Sequence, residues 1–372
     1  MTGSSLFVVA MILTAGQAPQ GAAPAPASQA ATQYSRNPQA NALFLRGREL
    51  FAQSDPRAGG RLANAREAIR LYQQAVAADP RFALAYVELS RAWLRLGYSD
   101  PDGASAAEIM PPAREALRRA VAIDPNLPEA HAAAAAFAYS TDFDWPTAER
   151  EYRAAIRLQP DNAIAHGGYG AFLSSMGRFE EAIAELQRAD ALAPTVGTKS
   201  LLCRTYYSQR RFDLAEAQCR RSIAVQDNVI ARLYLGFTNI ALGRLEEGVA
   251  ELERTSRFTN NGGAWAALAY GYAMAGRREE ALRLVQEITT TRTRGGTVPY
   301  RIAAVHLALG DRDRAIEWLR RDYAERGNWM NQLKVDPVMD PLRSDPRFRA
   351  LMRAMRFDRG AAGPRAIQPF AR

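Results

Sequence analysis

Few residues in this chain are suited to chemistry. There are three histidines, His131, His166 and His306, and two cysteines, Cys203 and Cys219. Asp142-Phe143-Asp144 puts two carboxylates in one turn, the oxygen donors a divalent cation would use. Gly167-Gly168-Tyr169-Gly170 has the glycine density of a phosphate-cradling loop. Arg292, Arg294 and Gly295-Gly296 form a basic loop suited to an anion. None of these grows into a larger constellation. The chain has no Gly-x4-Gly-Lys phosphate loop, no paired-histidine zinc helix and no Gly-x-Ser-x-Gly nucleophile elbow. His131 and His166 share one position of a repeating unit, where Trp265 stands later, so packing is their expected role. Asp142 and Asp144 read as helix caps, and the glycine cluster falls inside a helical stretch. The expectation is therefore no catalytic residue, no metal and no cofactor, with an enzyme bearing an unrecognised site as the alternative.

Composition leaves room for a large folded array. Of 372 residues, 48% are hydrophobic and 23% charged, as in ordinary folded proteins, and no apolar run is long enough to span a bilayer as a helix. The formal charge is +9, but residues 1–35 carry no charged side chain, and eight Arg against two Asp crowd into residues 343–372. The excess is thus a C-terminal feature and not a basic groove, so no specific nucleic-acid partner is expected. The basic end suits weak contact with anionic surfaces. Leu6-Phe7-Val8-Val9-Ala10-Met11-Ile12-Leu13 is an apolar run of signal-peptide length, and Ala25-Pro26-Ala27 before Ser28 has the small-x-small form of a cleavage site. Residues 1–27 are accordingly read as a signal peptide, with cleavage between Ala18 and Ala30, although no Lys or Arg precedes the run. Residues 28–37 are read as a flexible linker. The expected location is periplasmic or secreted, with a cytoplasmic location as the alternative.

The elements that position everything else follow from an internal repeat. Pro80, Pro125, Pro160 and Pro194 each close an apolar helical stretch and stand 45, 35 and 34 residues apart. Before each Pro, at fixed distances, come Ala (Ala68, Ala113, Ala148, Ala182), a large residue (Tyr72, Leu117, Tyr152, Leu186) and Ala again (Ala75, Ala120, Ala155, Ala189). Alanines let helices approach, the large residue fills the gap between them, and Pro ends the helix because it cannot continue the hydrogen-bond ladder. Gly97, Gly177, Gly243, Gly276 and Gly310 are expected to end the first helix of their units, with Arg210 standing where one more Gly belongs. Cys203 falls on the small, close-approach position of the fifth unit's first helix and Cys219 on the large position of its second. The two face each other across one hairpin, as either a disulfide or two buried thiols.

Ala264-Trp265, Leu268, Ala269, Tyr272, Gly276 and Glu280-Ala281 resemble the tetratricopeptide repeat (TPR) consensus, as do Leu235-Gly236 and Gly243-Arg244-Leu245-Glu246-Glu247. The resemblance implies an all-α, right-handed superhelical solenoid of antiparallel helix pairs, with about eight units over residues 38–327. Insertions fall near Asp55–Ala63 and Tyr98–Pro112. The stretch from Gly327-Asn328-Trp329 to Ser344-Asp345-Pro346-Arg347-Phe348 resembles the segment closing bacterial TPR regions of cyclase, kinase and winged-helix regulators. Residues 328–357 are therefore expected to be capping helices that seal the last unit, and 358–372 a basic tail.

The same resemblance implies a binding face. The inner positions of the first helices would be Arg91, Arg95, Tyr139, Arg204, Tyr207, Phe237, Tyr270 and Met274, a mixture of aromatics and Arg suited to a peptide with apolar anchors and some negative charge. The Lys and Asn of the TPR carboxylate clamp are not matched, so a chaperone C-terminus is not the expected ligand. The function these residues imply is an exported, non-enzymatic scaffold for a protein or peptide in the concave groove. A cytoplasmic regulatory module acting with a separate kinase or cyclase is the alternative. A Tyr207→Ala/Phe237→Ala variant is expected to stay folded and lose its partner.

Overall fold

A computed structural model describes residues 33–53, 62–99, 106–258, 262–290 and 298–357. The proposed signal peptide, the first half of the linker, most of the insertion near Asp55–Ala63, the Arg292–Gly296 loop and the basic tail lie outside the described residues. Sixteen helices form eight antiparallel pairs: α1 (Pro38–Ala52) with α2 (Leu62–Ala78), α3 (Ala83–Ser99) with α4 (Ala106–Ile123), α5 (Pro128–Phe137) with α6 (Trp145–Leu158), and α7 (Ala163–Ser175) with α8 (Phe179–Leu192). The array continues with α9 (Val196–Ser208) and α10 (Phe212–Val225), α11 (Val229–Ala241) and α12 (Leu245–Phe258), α13 (Gly262–Met274) and α14 (Arg278–Thr290), and α15 (Val298–Ala308) and α16 (Arg312–Ala324). Two 3-10 turns, Asn328–Gln332 and Pro337–Leu342, and a last helix α17 (Pro346–Ala354) follow. The described residues contain no strand, and none of their helices is long and apolar enough to cross a membrane.

Local chemistry explains where the helices start and stop. The side chains of Asn162, Thr195 and Asn228 accept hydrogen bonds from the third backbone N–H beyond them and so cap α7, α9 and α11. Between paired helices the chain needs a left-handed residue. Gly177, Gly243, Gly276 and Gly310 supply it with φ of 77–82°. Arg210 holds the same place at φ 64° and Phe143 at φ 54°, so the turn is kept even where a side chain makes it costly. Gly97 departs from the expectation: α3 runs past it to Ser99. The insertion expected over Tyr98–Pro112 is shorter, because α4 begins at Ala106 and carries Pro111 and Pro112 within it.

The repeat's packing logic is visible at one register position. A Cβ on Gly170 would lie 2.7 Å from Leu186 Cγ, and one on Gly236 would lie 2.8 Å from Leu252 Cγ. In the unit between them the same two positions are Cys203 and Cys219, both fully buried, with Cα atoms 5.0 Å apart and the sulphurs joined in a disulfide. A small residue facing a large one brings the two helices close enough to suit a bridge.

Candidate functional site

The inner face is built by the first helices of the pairs and is occupied by the chain itself. Residues 328–357 do not simply seal the last unit. They turn back through the interior of the array and touch units distant in sequence. Gln332 Nε2 donates to Ser175 Oγ at 2.6 Å, and Ser175 in turn bonds the Tyr139 hydroxyl at 2.6 Å. Lys334 Nζ donates to the Met176 carbonyl at 2.9 Å. The Tyr300 hydroxyl donates to Asp336 at 3.0 Å, and Arg210 pairs with Asp340 at 2.5 Å. At the far end, Trp145 Nε1 donates to the Met355 carbonyl at 2.7 Å while its ring stacks on Phe357 with centroids 5.2 Å apart. Trp329, Met330, Leu333, Met339, Leu342 and Phe348 are buried in the same core as the helices. The Asp-Pro starts behave as the sequence indicates: Asp336 caps the second 3-10 turn and Asp345 caps α17, each with Pro in the first turn.

This route relocates the expected groove residues. Arg204, Tyr207, Phe237 and Tyr270 come together, and so does Tyr139, but all five are buried. Tyr207, Phe237 and Tyr270 form a run of aromatic contacts with centroids 6.1 and 5.6 Å apart. Arg91 and Arg95 are also buried, beside Phe51 in the first two units, and Arg91 pairs with Glu88 at 2.7 Å. Met274 alone stays accessible, at 39%, on the rim where α13 ends. The Tyr207→Ala/Phe237→Ala variant thus loses core packing as well as any contact surface, because these side chains are only 3% and 2% exposed. Sequence reasoning missed two members of the inner face. Arg301 lies over both Trp329 (4.2 Å) and Phe237 (4.7 Å), and Asp336 comes from the segment itself. The signal for the segment's role was its density of large apolar residues, too high for an end cap.

The electrostatics follow from burial. Desolvation raises the phenol pKa values of Tyr139, Tyr207 and Tyr300, and pushes Tyr234 up to about 12. Burial likewise raises Asp336, partly offset by Arg301. Asp322, boxed against Gly327, is pushed up to about 8 by burial. A perturbed carboxyl is one mark of a catalytic site, but Asp322 is fully enclosed, with the Tyr300 backbone N–H as the polar group that reaches it. The other chemical candidates are structural. His131 and His166 hydrogen-bond Glu151 and Glu185 on their partner helices, at 2.7 and 2.5 Å, and reach the Pro125 and Pro160 carbonyls on the other side. Asp142 pairs with Arg114 and Asp144 caps α6. No group of three metal-ligating side chains occurs among the described residues. The glycine cluster lies inside α7 at a helix-packing position.

This architecture of helix pairs in series, with a small-against-large register and left-handed turns, is a TPR solenoid. Residues 143–196 match the tetratricopeptide repeat family model. A type IV pilus assembly protein, PilF of Pseudomonas aeruginosa, is 34% identical over 112 residues, which is 30% of this chain and 40% of that protein. The chain therefore spans less than half the length of this curated relative. Two solved structures share the fold. The human IFIT1 dimer has a TM-score of 0.52 and 16% identity over 80% of this chain and 74% of that one. Yeast Tom70 has a TM-score of 0.50 and 14% identity over 94% and 73%.

Proposed function

We propose that this chain is an exported, non-enzymatic scaffold whose inner face holds polypeptide. One observation carries the reading: the inner face already holds a polypeptide, residues 328–342, through aromatic walls, cation–π contacts and a few hydrogen bonds. These are the means by which a solenoid recognises a peptide. The pilus-assembly relative is consistent with a scaffold role, and only that general role is carried over from a match limited to 40% of its length. A bound partner would exchange with the internal segment or extend along the first units, where Arg91 and Arg95 line the face. The basic tail would add salt-sensitive contact with anionic surfaces.

Crosslinking tests the surface. A photo-crosslinking side chain placed at Phe237 on the inner face, or at the exposed Phe258 on an outer helix, would be compared in the native host. Partner adducts from Phe237 support the reading, and adducts from Phe258 alone move the site to the outside. Mass spectrometry of the mature protein tests export. An N-terminus between Ala18 and Ala30 is expected, and an intact Met1 in the cytoplasm would overturn it.

A further inference from the structure

The interior between the inner face and residues 328–342 is not balanced in charge. Two guanidinium groups lie there, Arg204 at 1% and Arg301 at 3% exposure, against one buried carboxylate, Asp336. Arg301 has aromatic faces on both sides and lies in the field of Asp336. Asp336 is itself engaged by the Tyr300 hydroxyl and the Val338 N–H. Arg204 has no acidic partner: the group against it is the neutral Tyr139 hydroxyl, and its guanidinium nitrogens meet no other acceptor. That hydroxyl is already engaged by Ser175 and Gln332. Gln332 also donates to Asn331 Oδ1 at 2.9 Å, which leaves Asn331 Nδ2 as a buried donor without an acceptor. Donors therefore outnumber acceptors around one full positive charge. A buried cation without a counter-charge is among the most costly features a core can hold, and a planar guanidinium is best matched by a carboxylate.

We propose that Arg204 forms a carboxylate-binding subsite whose acceptor is supplied from outside this chain. The carboxylate belongs to a free organic acid or to an acidic side chain of a polypeptide on the inner face. The second source rests on the inner-face reading above, and the first does not. In either case Arg204 sets the specificity, because among the described residues it is the buried inner cation with neither an acidic partner nor an aromatic stack.

The test uses the full chain at fixed ionic strength. One arm titrates formate and acetate. The other titrates a peptide copying residues 328–336 with Glu at the position of Gln332. Melting temperature and the Arg204 Nε–H resonance, assigned with Arg204→Met, are followed in both. A saturable rise in melting temperature with a shift of that resonance is expected, absent from Arg204→Met. Response to small acids identifies a free acid, and response to the peptide alone identifies a polypeptide. Two internal controls sharpen the result. Gln332→Glu, which shares the Tyr139 hydroxyl with Arg204, supplies the carboxylate in cis and should raise the melting temperature while abolishing the response. Arg204→Met should melt higher than the parent in carboxylate-free buffer. A parent that responds to neither ligand, or an Arg204→Met that responds like the parent, overturns the subsite. A positive response with no partner adducts from Phe237 keeps the subsite and removes the inner-face reading. Adducts without a response do the reverse.

Discussion

The first two units and the last six are built from the same helix pair yet are held together differently. Units one and two keep a local core around Phe44, Tyr72 and Phe82, in which each helix meets its neighbours in sequence. From the third unit onward most buried residues merge into one cluster that includes Trp329, Met339, Phe348 and Phe357, while Ala130, Ala133, Ala136 and Phe137 of α5 pack with α3 and α4 of the second unit. Repeat arrays normally gain stability from neighbour contacts alone. Here Trp145 bonds a carbonyl 210 residues away, so the later units are tied together by a shared occupant. The lesson is that a solenoid can acquire a globular core by folding its own end inside.

Trp145→Ala should separate the two regions most strongly. It removes a fully packed indole, the stack on Phe357 and the hydrogen bond to Met355, at a cost of about 3–5 kcal/mol. Hydrogen exchange should then quicken across residues 328–357 and the third unit, while α1 to α3 keep their protection. Equal loosening throughout would mean the array responds as one body. Reducing the Cys203–Cys219 bridge comes next, with an expected loss of about 3 kcal/mol for a loop of this length and a lower melting temperature. Thiol alkylation of the untreated protein from its native host that labels both cysteines would show that the bridge does not form.

A smaller effect concerns pH. Glu151 and Glu185 raise the pKa values of His131 and His166 in the folded chain. A raised histidine adds stability that is complete below its unfolded pKa, about 6.5, and is lost as pH climbs through the raised folded value. The melting temperature should fall over that window, and His131→Gln/His166→Gln should flatten the fall. The smallest change is expected for Arg210→Gly. It relieves a left-handed arginine but removes a solvent-exposed ion pair with Asp340, and the two should offset to within about 1 kcal/mol. A much larger loss would show that Arg210 anchors the segment.

What the sequence made legible was whatever is local and repeated. The alanine and proline register, the turn at Arg210, the facing cysteines and the Asp-Pro caps all depend on residues within a few turns of one another. The path of residues 328–357 is neither local nor repeated. Nothing in the spacing of Trp329, Met330, Leu333 and Leu342 names the helices they meet, and the inner positions of a TPR look the same whether solvent or protein covers them. Met274 stands one helical turn beyond the rank that Arg204 holds in the repeat, yet one lies on the rim and the other is buried.

The order of synthesis gives the internal segment a temporal meaning. All eight helix pairs are translated before residues 328–357, so for a time the growing chain presents Tyr139, Arg204, Tyr207, Phe237 and Tyr270 without their covering. Closure then requires a contact spanning 210 residues, the kind of long-range event that forms late and slowly. The nascent protein is thus open-faced and the finished one is filled, and any molecule that meets the chain before its last segment arrives meets a different surface from one that comes afterwards.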